Sequence, residues 1–182
     1  YAKANPGKLS YASVGAGTLS MLTMEVFKKS TQLDILHIPY KGSAQAMTDL
    51  IGGTVPLMFD GMTSSYSHVK SGKLKALAIS ASKRSDLAPE IPTLRDTGIG
   101  SLLDVSVDGW TGVFAPAGTP PAVVAYLNQE INKVLEDAEF KKRANGQSLD
   151  VYAPASPAQF ADYVRAEHTR WGAVIRPLKL EP

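Results

Sequence analysis

Three times within the first eighty residues, an apolar run breaks on a short polar turn containing glycine and resumes as a helix-period stretch. Residues 9–14 read as a strand, Gly15–Ala16–Gly17 as a tight turn, and residues 18–30 as a helix with Leu22, Met24, Val26 and Phe27 turned inward. Thr18 or Ser20 is the expected cap of that helix. Residues 35–38 form a second strand ended by Pro39, and Lys41–Gly42–Ser43 opens a helix carrying Ala46, Met47, Leu50 and Ile51 to a Gly52–Gly53 stop. Residues 55–59 form a third strand, and Asp60–Gly61 leads into a helix over 63–69. Residues 74–79 are almost continuously apolar, as expected of a fourth strand buried on both faces. Such alternation predicts an α/β fold, a parallel-rich sheet flanked by helices. Every turn then lies at the carboxyl end of a strand and the amino end of a helix.

Upstream, residues 1–8 read as the tail of a helix stopped by Asn5–Pro6–Gly7. Downstream, residues 82–101 are irregular and 104–115 extended. Thr119 is the expected cap of a helix with prolines in its first turn and an apolar stripe of Val124, Leu127, Ile131, Val134 and Leu135. A short helix over 138–144 and a strand over 149–152 follow. Ser156–Pro157–Ala158–Gln159 is a capping box, and the last helix is expected to bury Phe160, Tyr163, Val164, Trp171 and Val174.

Net charge narrows the function. Among 182 residues, 19 are basic and 17 acidic, and no cationic run is dense enough for counterion-driven binding to nucleic acid or an anionic membrane. There is no cysteine, which removes thiolate chemistry and cysteine-held metals. No stretch approaches the roughly 20 apolar residues needed to span a bilayer. The first residue is Tyr1 rather than methionine, so the chain is expected to have been processed or truncated, with any export signal upstream.

The strand-to-helix turns carry the chemistry. Gly15–Ala16–Gly17–Thr18 offers exposed amides and a helix dipole to an anion. Three readings stay open for it: a carboxylate or other small anion, a dinucleotide, or a structural turn. Ser20 stands where a dinucleotide fingerprint wants glycine. Tyr40–Lys41–Gly42–Ser43 offers a cation, a hydroxyl and free amides, against the plainer reading of a helix cap with a solvated lysine. At Asp60–Gly61–Met62–Thr63, Asp60 could accept from a ligand amine, hold the loop or simply cap a helix. Ser13, Gly15, Ala16, Gly17 and Thr18, with Tyr40, Lys41, Gly42 and Ser43, and with Asp60 and Gly61, are thus the candidate ligand residues of one cleft. His37, His68 and His168 lack partners at metal-ligand spacing and read as surface or core histidines; no metal or cofactor is expected. Ser80–Ala81–Ser82–Lys83 matches S-x-x-K without its companion motifs. No base–nucleophile pair is legible, so binding without catalysis is expected.

Seven marks in order complete the picture: Tyr1-Ala-Lys-Ala-Asn-Pro-Gly-Lys8, Val14-Gly-Ala-Gly-Thr18, Ile38-Pro-Tyr-Lys-Gly42, Leu57-Met-Phe-Asp60, Ser71-Gly-Lys-Leu-Lys-Ala-Leu-Ala78, Pro89-Glu-Ile-Pro-Thr93 and Phe114-Ala-Pro-Ala-Gly-Thr-Pro120. With them the sequence resembles the Bug (Bordetella uptake gene) or TctC-type receptors of tripartite tricarboxylate transporters, from end to end. The resemblance implies a two-lobed, Venus-flytrap, periplasmic-binding-protein-like fold. It also implies a periplasmic receptor, not an enzyme, that delivers an amino acid, a di- or tricarboxylate or an aromatic acid to membrane transporter subunits. By the same resemblance, residues 1–110 would form the family's complete second lobe and 111–182 the C-terminal part of an incomplete first lobe. The family's opening strand and Pro/Gly-rich loop, which supply half of the carboxylate site, have no counterpart here, and Gly61 stands where the family often has asparagine. An incomplete lobe is expected to expose apolar surface and to favour self-association. Two other readings compete: a small α/β enzyme acting on a phosphorylated substrate at the 15–17 turn, and a ligand-sensing domain of a regulator.

Overall fold

The structure, a computed structural model, describes residues 1–103, 105–151 and 156–178. It divides into two compact units, one spanning Tyr1–Gly109 and taking in Leu178, the other spanning Trp110–Pro177.

In the first unit, strand β1 (Leu9–Ser13) is followed by helix α1 (Leu19–Thr31), strand β2 (Ile35–Pro39), helix α2 (Ser43–Ile51) and helix α3 (Met62–Lys70). β1 and β2 pair in parallel, in a register that sets Tyr11 against His37 and Ser13 against Pro39. The third expected strand contributes one parallel bridge, Met58 to Ala12, and Ala12 N donates to Leu57 O at 2.8 Å. Pro56 has no amide hydrogen to extend that pairing. The fourth expected strand also shrinks to one bridge, Ile79 to Thr93. Its apolar run is not buried on both faces, for Leu77 is 62% exposed and Lys75 is exposed as well. That run alternates, so its mean hydropathy overstated its burial.

Strand alternation loads the two faces of the sheet differently. Tyr11 and Ile35 pack with Met24 of α1, backed by Leu9, Phe27, Leu33, Leu57 and Phe59. Ala12, on the opposite face, packs with Ala46 of α2 and with Val55, backed by Ile38, Tyr40 and Met58. Helices therefore cover both faces. Tyr11 is wholly buried, and burial of a side chain of this size contributes on the order of 2–3 kcal/mol. α1 stops where Gln32 takes a left-handed conformation, and Lys28 and Lys29 in its last turn suit the negative end of its dipole. A third cluster of Leu94, Leu102 and Val105 packs with Val26, Phe27 and Phe59. Residues 2–7 form turns rather than the expected helix, with Asn5 N donating to Ala2 O and Lys8 N to Asn5 O. So few residues cannot meet the cost of helix nucleation.

In the second unit, helices α4 (Pro121–Glu136), α5 (Ala138–Gly146) and α6 (Pro157–Ile175) follow the loop around Gly118. The α4 cap position is Pro120, not Thr119, whose hydroxyl instead closes the preceding turn on Pro116 O at 2.9 Å. Asp137 caps α5 by accepting from Phe140 N, and the Ser156–Gln159 capping box of α6 forms in both directions. Trp110, Phe114, Phe160 and Tyr163 make edge-on or tilted ring contacts with centroids 5.5–5.7 Å apart. Glu167 is the one buried residue of α6; it accepts from Trp171 Nε1 and Arg170. The expected stripe of α4 is only partly covered: Leu127 is 44% and Val134 50% exposed, and α4 buries no residue fully. Residues 111–115 and 149–151 carry no strand pairing, while Asp104 and Tyr152, at the edges of the two expected extended segments, lie outside the described residues.

Candidate functional site

β1 ends at Ser13, and the backbone of that residue starts the assembly. Tyr40 N donates to Ser13 O at 2.9 Å, which fixes the second turn beside the first. Ser20, in the first turn of α1, donates its hydroxyl to Phe59 O at 2.5 Å, which fixes the end of the third extended segment beside them. Ser43, the first residue of α2, donates to Asp60 Oδ2 at 3.3 Å. Three hydrogen bonds thus draw the 15–18, 40–43 and 59–61 turns to one edge of the sheet.

The helix starts at this edge are open. No side chain caps α1, α2 or α3, and none has an acidic residue in its first turn. Thr18 occupies the cap position of α1, but its hydroxyl donates backwards to Gly15 O at 2.7 Å, and Ser20 caps nothing. The leading amides of α1 therefore have no side-chain cap, while Gly17 N, just ahead of the helix, donates to Met21 Sδ at 3.3 Å. Ala16 and Gly17 are exposed, and Gly15 and Gly17 take φ of 134° and 72°. At Gly15 a side chain would meet Tyr40 O at 3.5 Å, an ordinary contact, so it is the positive φ that calls for glycine there.

The remaining candidates divide by what already engages them. Lys41 and Gly61 are exposed, and Gly42 and Ser43 half-buried. The Tyr40 hydroxyl is committed to Asp49 Oδ2 at 2.7 Å, a bond that raises the phenol pKa. Its side chain packs with Ala12, Ala46 and Val55, so only its backbone belongs to the edge. Asp60 is not a cap, since Gly61 holds that position in α3. Asp60 instead accepts from Ser64 at 2.5 Å as well as from Ser43, lashing the starts of α2 and α3 together. Its carboxylate already sits by those two helix starts, whereas α1 has neither a side-chain cap nor an acidic residue in its first turn.

One pair escaped the sequence. Ser13 Oγ lies 2.6 Å from His37 Nε2, so a hydroxyl and a potential base do meet. They stand two residues off register on paired strands, on the same face, an arrangement visible only once the register is known. Ser13 is wholly buried, and its hydroxyl oxygen also accepts from Gly15 N at 3.3 Å. A hydroxyl so enclosed braces the turn and cannot reach a substrate. The His37 ring stacks on Tyr11 with centroids 4.8 Å apart, and Tyr11 donates to Glu25. Burial lowers the His37 pKa, the Glu25 charge opposes the shift and Lys28 adds to it. Ser80, of the S-x-x-K match, donates to Val107 O in a loop contact. Among the described residues no three His, Cys, Asp or Glu gather as a metal site, and no helix is long and apolar enough to cross a membrane. Two grooves elsewhere, of about 220 Å³ beside Ser82 and Arg95 and about 360 Å³ along α6, are not built from the turn residues.

Residues 1–180 match the family model described as "Tripartite tricarboxylate transporter family receptor". The chain belongs to this receptor family. It is 35% identical over 179 residues to the "UPF0065 protein in tcbD-tcbE intergenic region" of Pseudomonas sp. (strain P51), covering 98% of this chain and 52% of that protein. Its fold is similar to "R. palustris Rpa4515 with adipate", with a TM-score of 0.79 at 30% identity, covering 96% of this chain and 57% of that one. It is equally close to the "periplasmic binding protein BugD", with a TM-score of 0.78 at 33% identity, covering 100% and 60%. The chain thus spans about half the length of the curated relatives it matches. The parallel α/β arrangement of the first unit is that of periplasmic binding proteins, and the family is one of receptors rather than enzymes.

Proposed function

We propose that this chain supplies one side of a receptor cleft that captures a small carboxylate in the periplasm and presents it to membrane transporter subunits. The observation that carries this reading is the open start of α1, held at the sheet edge by Tyr40 N to Ser13 O and Ser20 Oγ to Phe59 O. A carboxylate there would accept from the Ala16 and Thr18 amides and draw Gly17 N away from Met21 Sδ, with the positive end of the α1 dipole behind them. Lys41, exposed on the adjoining turn, would steer an anion inward. Binding of adipate by the similar Rpa4515 protein supports this ligand class. Residues 1–110 would be one lobe and 111–182 part of the other. Asp60 stands on the same edge and favours a ligand that adds a hydroxyl or ammonium donor to its carboxylate.

Mass spectrometry of small molecules released from the freshly purified full-length receptor, followed by calorimetric titration with what is found and with adipate, tests the proposal. A carboxylate that binds and is lost in Gly17→Val is the expected result. A neutral or cationic ligand would end it. Self-association through exposed Val113, Phe114, Leu127 and Val134 is a separate expectation, decided by light scattering of the 182-residue chain.

A further inference from the structure

One amide of the 15–18 turn already has a partner. Gly17 N donates to Met21 Sδ at 3.3 Å. Thr18 holds the cap position of α1 and Leu19 begins the helix, so Met21 is the third helical residue. In a capping box that position carries Glu or Gln, whose side chain reaches back to the amide of the cap residue. Met21 reaches one residue further and offers sulfur in place of oxygen. A thioether is a weak acceptor, and unlike a carboxylate it sets no negative charge against an incoming anion. Met21 is 7% exposed, so the sulfur approaches from within the fold, whereas Gly17 is exposed. The Gly17 amide has a single hydrogen, and a ligand oxygen must take it from the sulfur. A carboxylate is able to do so, because a charge-assisted hydrogen bond is stronger than a neutral one. The backbone is able to follow. Turning the peptide between Ala16 and Gly17 outward changes φ at position 17, now 72°, and glycine moves between positive and negative φ without steric cost.

We propose that Met21 is a positioning residue for carboxylate capture: its thioether holds the Gly17 amide in the empty receptor and yields it to the ligand. This rests on the carboxylate reading of the 15–18 turn. The ligand-free turn then has two states, one closed on sulfur and one open, and only the open state presents the Gly17 hydrogen to a ligand. Apparent affinity is the intrinsic affinity scaled by the open fraction. The closed state therefore sets a threshold. It lowers the affinity for every ligand by one common factor and leaves the ranking of ligands to the rest of the cleft. An ordinary hydrogen bond biases such an equilibrium by roughly two- to tenfold, and a thioether belongs at the lower end. Removing the sulfur should raise affinity, and a better acceptor in its place should lower it. Damage to the turn would lower affinity in both cases, so the sign of the change separates competition from scaffolding.

Three full-length receptors test this: the wild type, Met21→Leu and Met21→Gln. Leucine nearly keeps the volume and has no acceptor. Glutamine brings a carbonyl oxygen, a stronger acceptor than sulfur. Calorimetry with adipate and with malate should find Met21→Leu about threefold tighter than the wild type and Met21→Gln weaker. In the ligand-free proteins, NMR should show the Gly17 amide hydrogen exchanging with solvent faster in Met21→Leu than in the wild type, and more slowly in Met21→Gln. On titration of the wild type, the Gly17 amide and Met21 methyl resonances should move together. Weaker binding in both variants makes Met21 a scaffold residue and overturns the proposal. So does equal affinity in the wild type and Met21→Leu, or a Gly17 exchange rate that the sulfur does not alter. If Met21→Gln fails to fold, the affinity and the exchange rate of Met21→Leu decide. If neither acid binds any of the three proteins, the carboxylate reading has failed and this proposal falls with it; binding that is the same in all three ends this proposal alone.

Discussion

The Ser20 hydroxyl donates to the carbonyl of Phe59 at 2.5 Å, across 39 residues of sequence. It joins the open start of α1 to the segment that carries Asp60. Ser20→Ala should cost about 1 kcal/mol of stability, since a part-buried carbonyl loses its donor. It should also weaken carboxylate binding severalfold, because the 59–61 turn is released from the edge. Denaturant midpoints read the first effect and calorimetry the second; full affinity in the alanine variant would separate this bond from function.

Gly17 combines an exposed position with φ of 72°. Gly17→Val and Gly17→Asn both place a side chain over the α1 amides, so both should lose most carboxylate affinity. They should differ in stability. Valine resists the left-handed region and costs about 1–2 kcal/mol, whereas asparagine adopts it with little strain. If Gly17→Asn binds like the wild type, the anion does not approach these amides.

In the second unit, the Phe160 ring stands where a side chain at position 112 would begin, so Gly112 leaves it room. Gly112→Ala should therefore destabilise by about 1–3 kcal/mol through forced displacement of the ring. Adding Phe160→Leu should return part of that loss, and the non-additivity of the pair is the measurement. Strict additivity would mean that the ring moves aside without cost.

Burial holds the His37 pKa below its ordinary value, with Lys28 assisting and Glu25 opposing. In the unfolded chain the ring takes up a proton near pH 6.5. The folded state resists that proton, so the unfolded state binds more protons as the pH falls. Stability should be independent of His37 above about pH 7.5, decline below about pH 6.5 and level off once the folded ring also charges. Urea midpoints for the wild type and His37→Gln should diverge on acidification, the variant losing less. Parallel curves would contradict the assignment.

The strand-to-helix rhythm made the first unit legible, because Gly15, Gly42 and Gly61 punctuate apolar runs that β1 and the helices do bury. The lengths of the later strands were not legible. Leu74 to Ile79 are mostly apolar, yet only Ile79 finds a bridge, and exposure of Leu77 depends on which neighbour lies alongside. Side-chain commitments were equally hidden. Tyr40 looked available until Asp49 took its hydroxyl, and Ser20 looked like a cap until Phe59 claimed it. His37 stood 24 residues from Ser13, and only the β1–β2 register brings them together. Residues that served in sequence as markers of turns proved easier to place than residues whose role depends on a distant partner.

Asp60 is tethered by Ser43 and Ser64, Tyr40 N by Ser13 O and Phe59 O by Ser20, while Ala16, Lys41 and Gly61 project from the same turns without such ties. Frame and fingertips are therefore separate sets of residues. A lineage could exchange the residues at these three tips, and with them the shape and charge that a captured molecule meets, while every cross-turn bond stays in place. A scaffold divided in this way lets one fold diversify toward many solutes at little cost in stability, and positions 16, 41 and 61 are where a redesign of this receptor should begin.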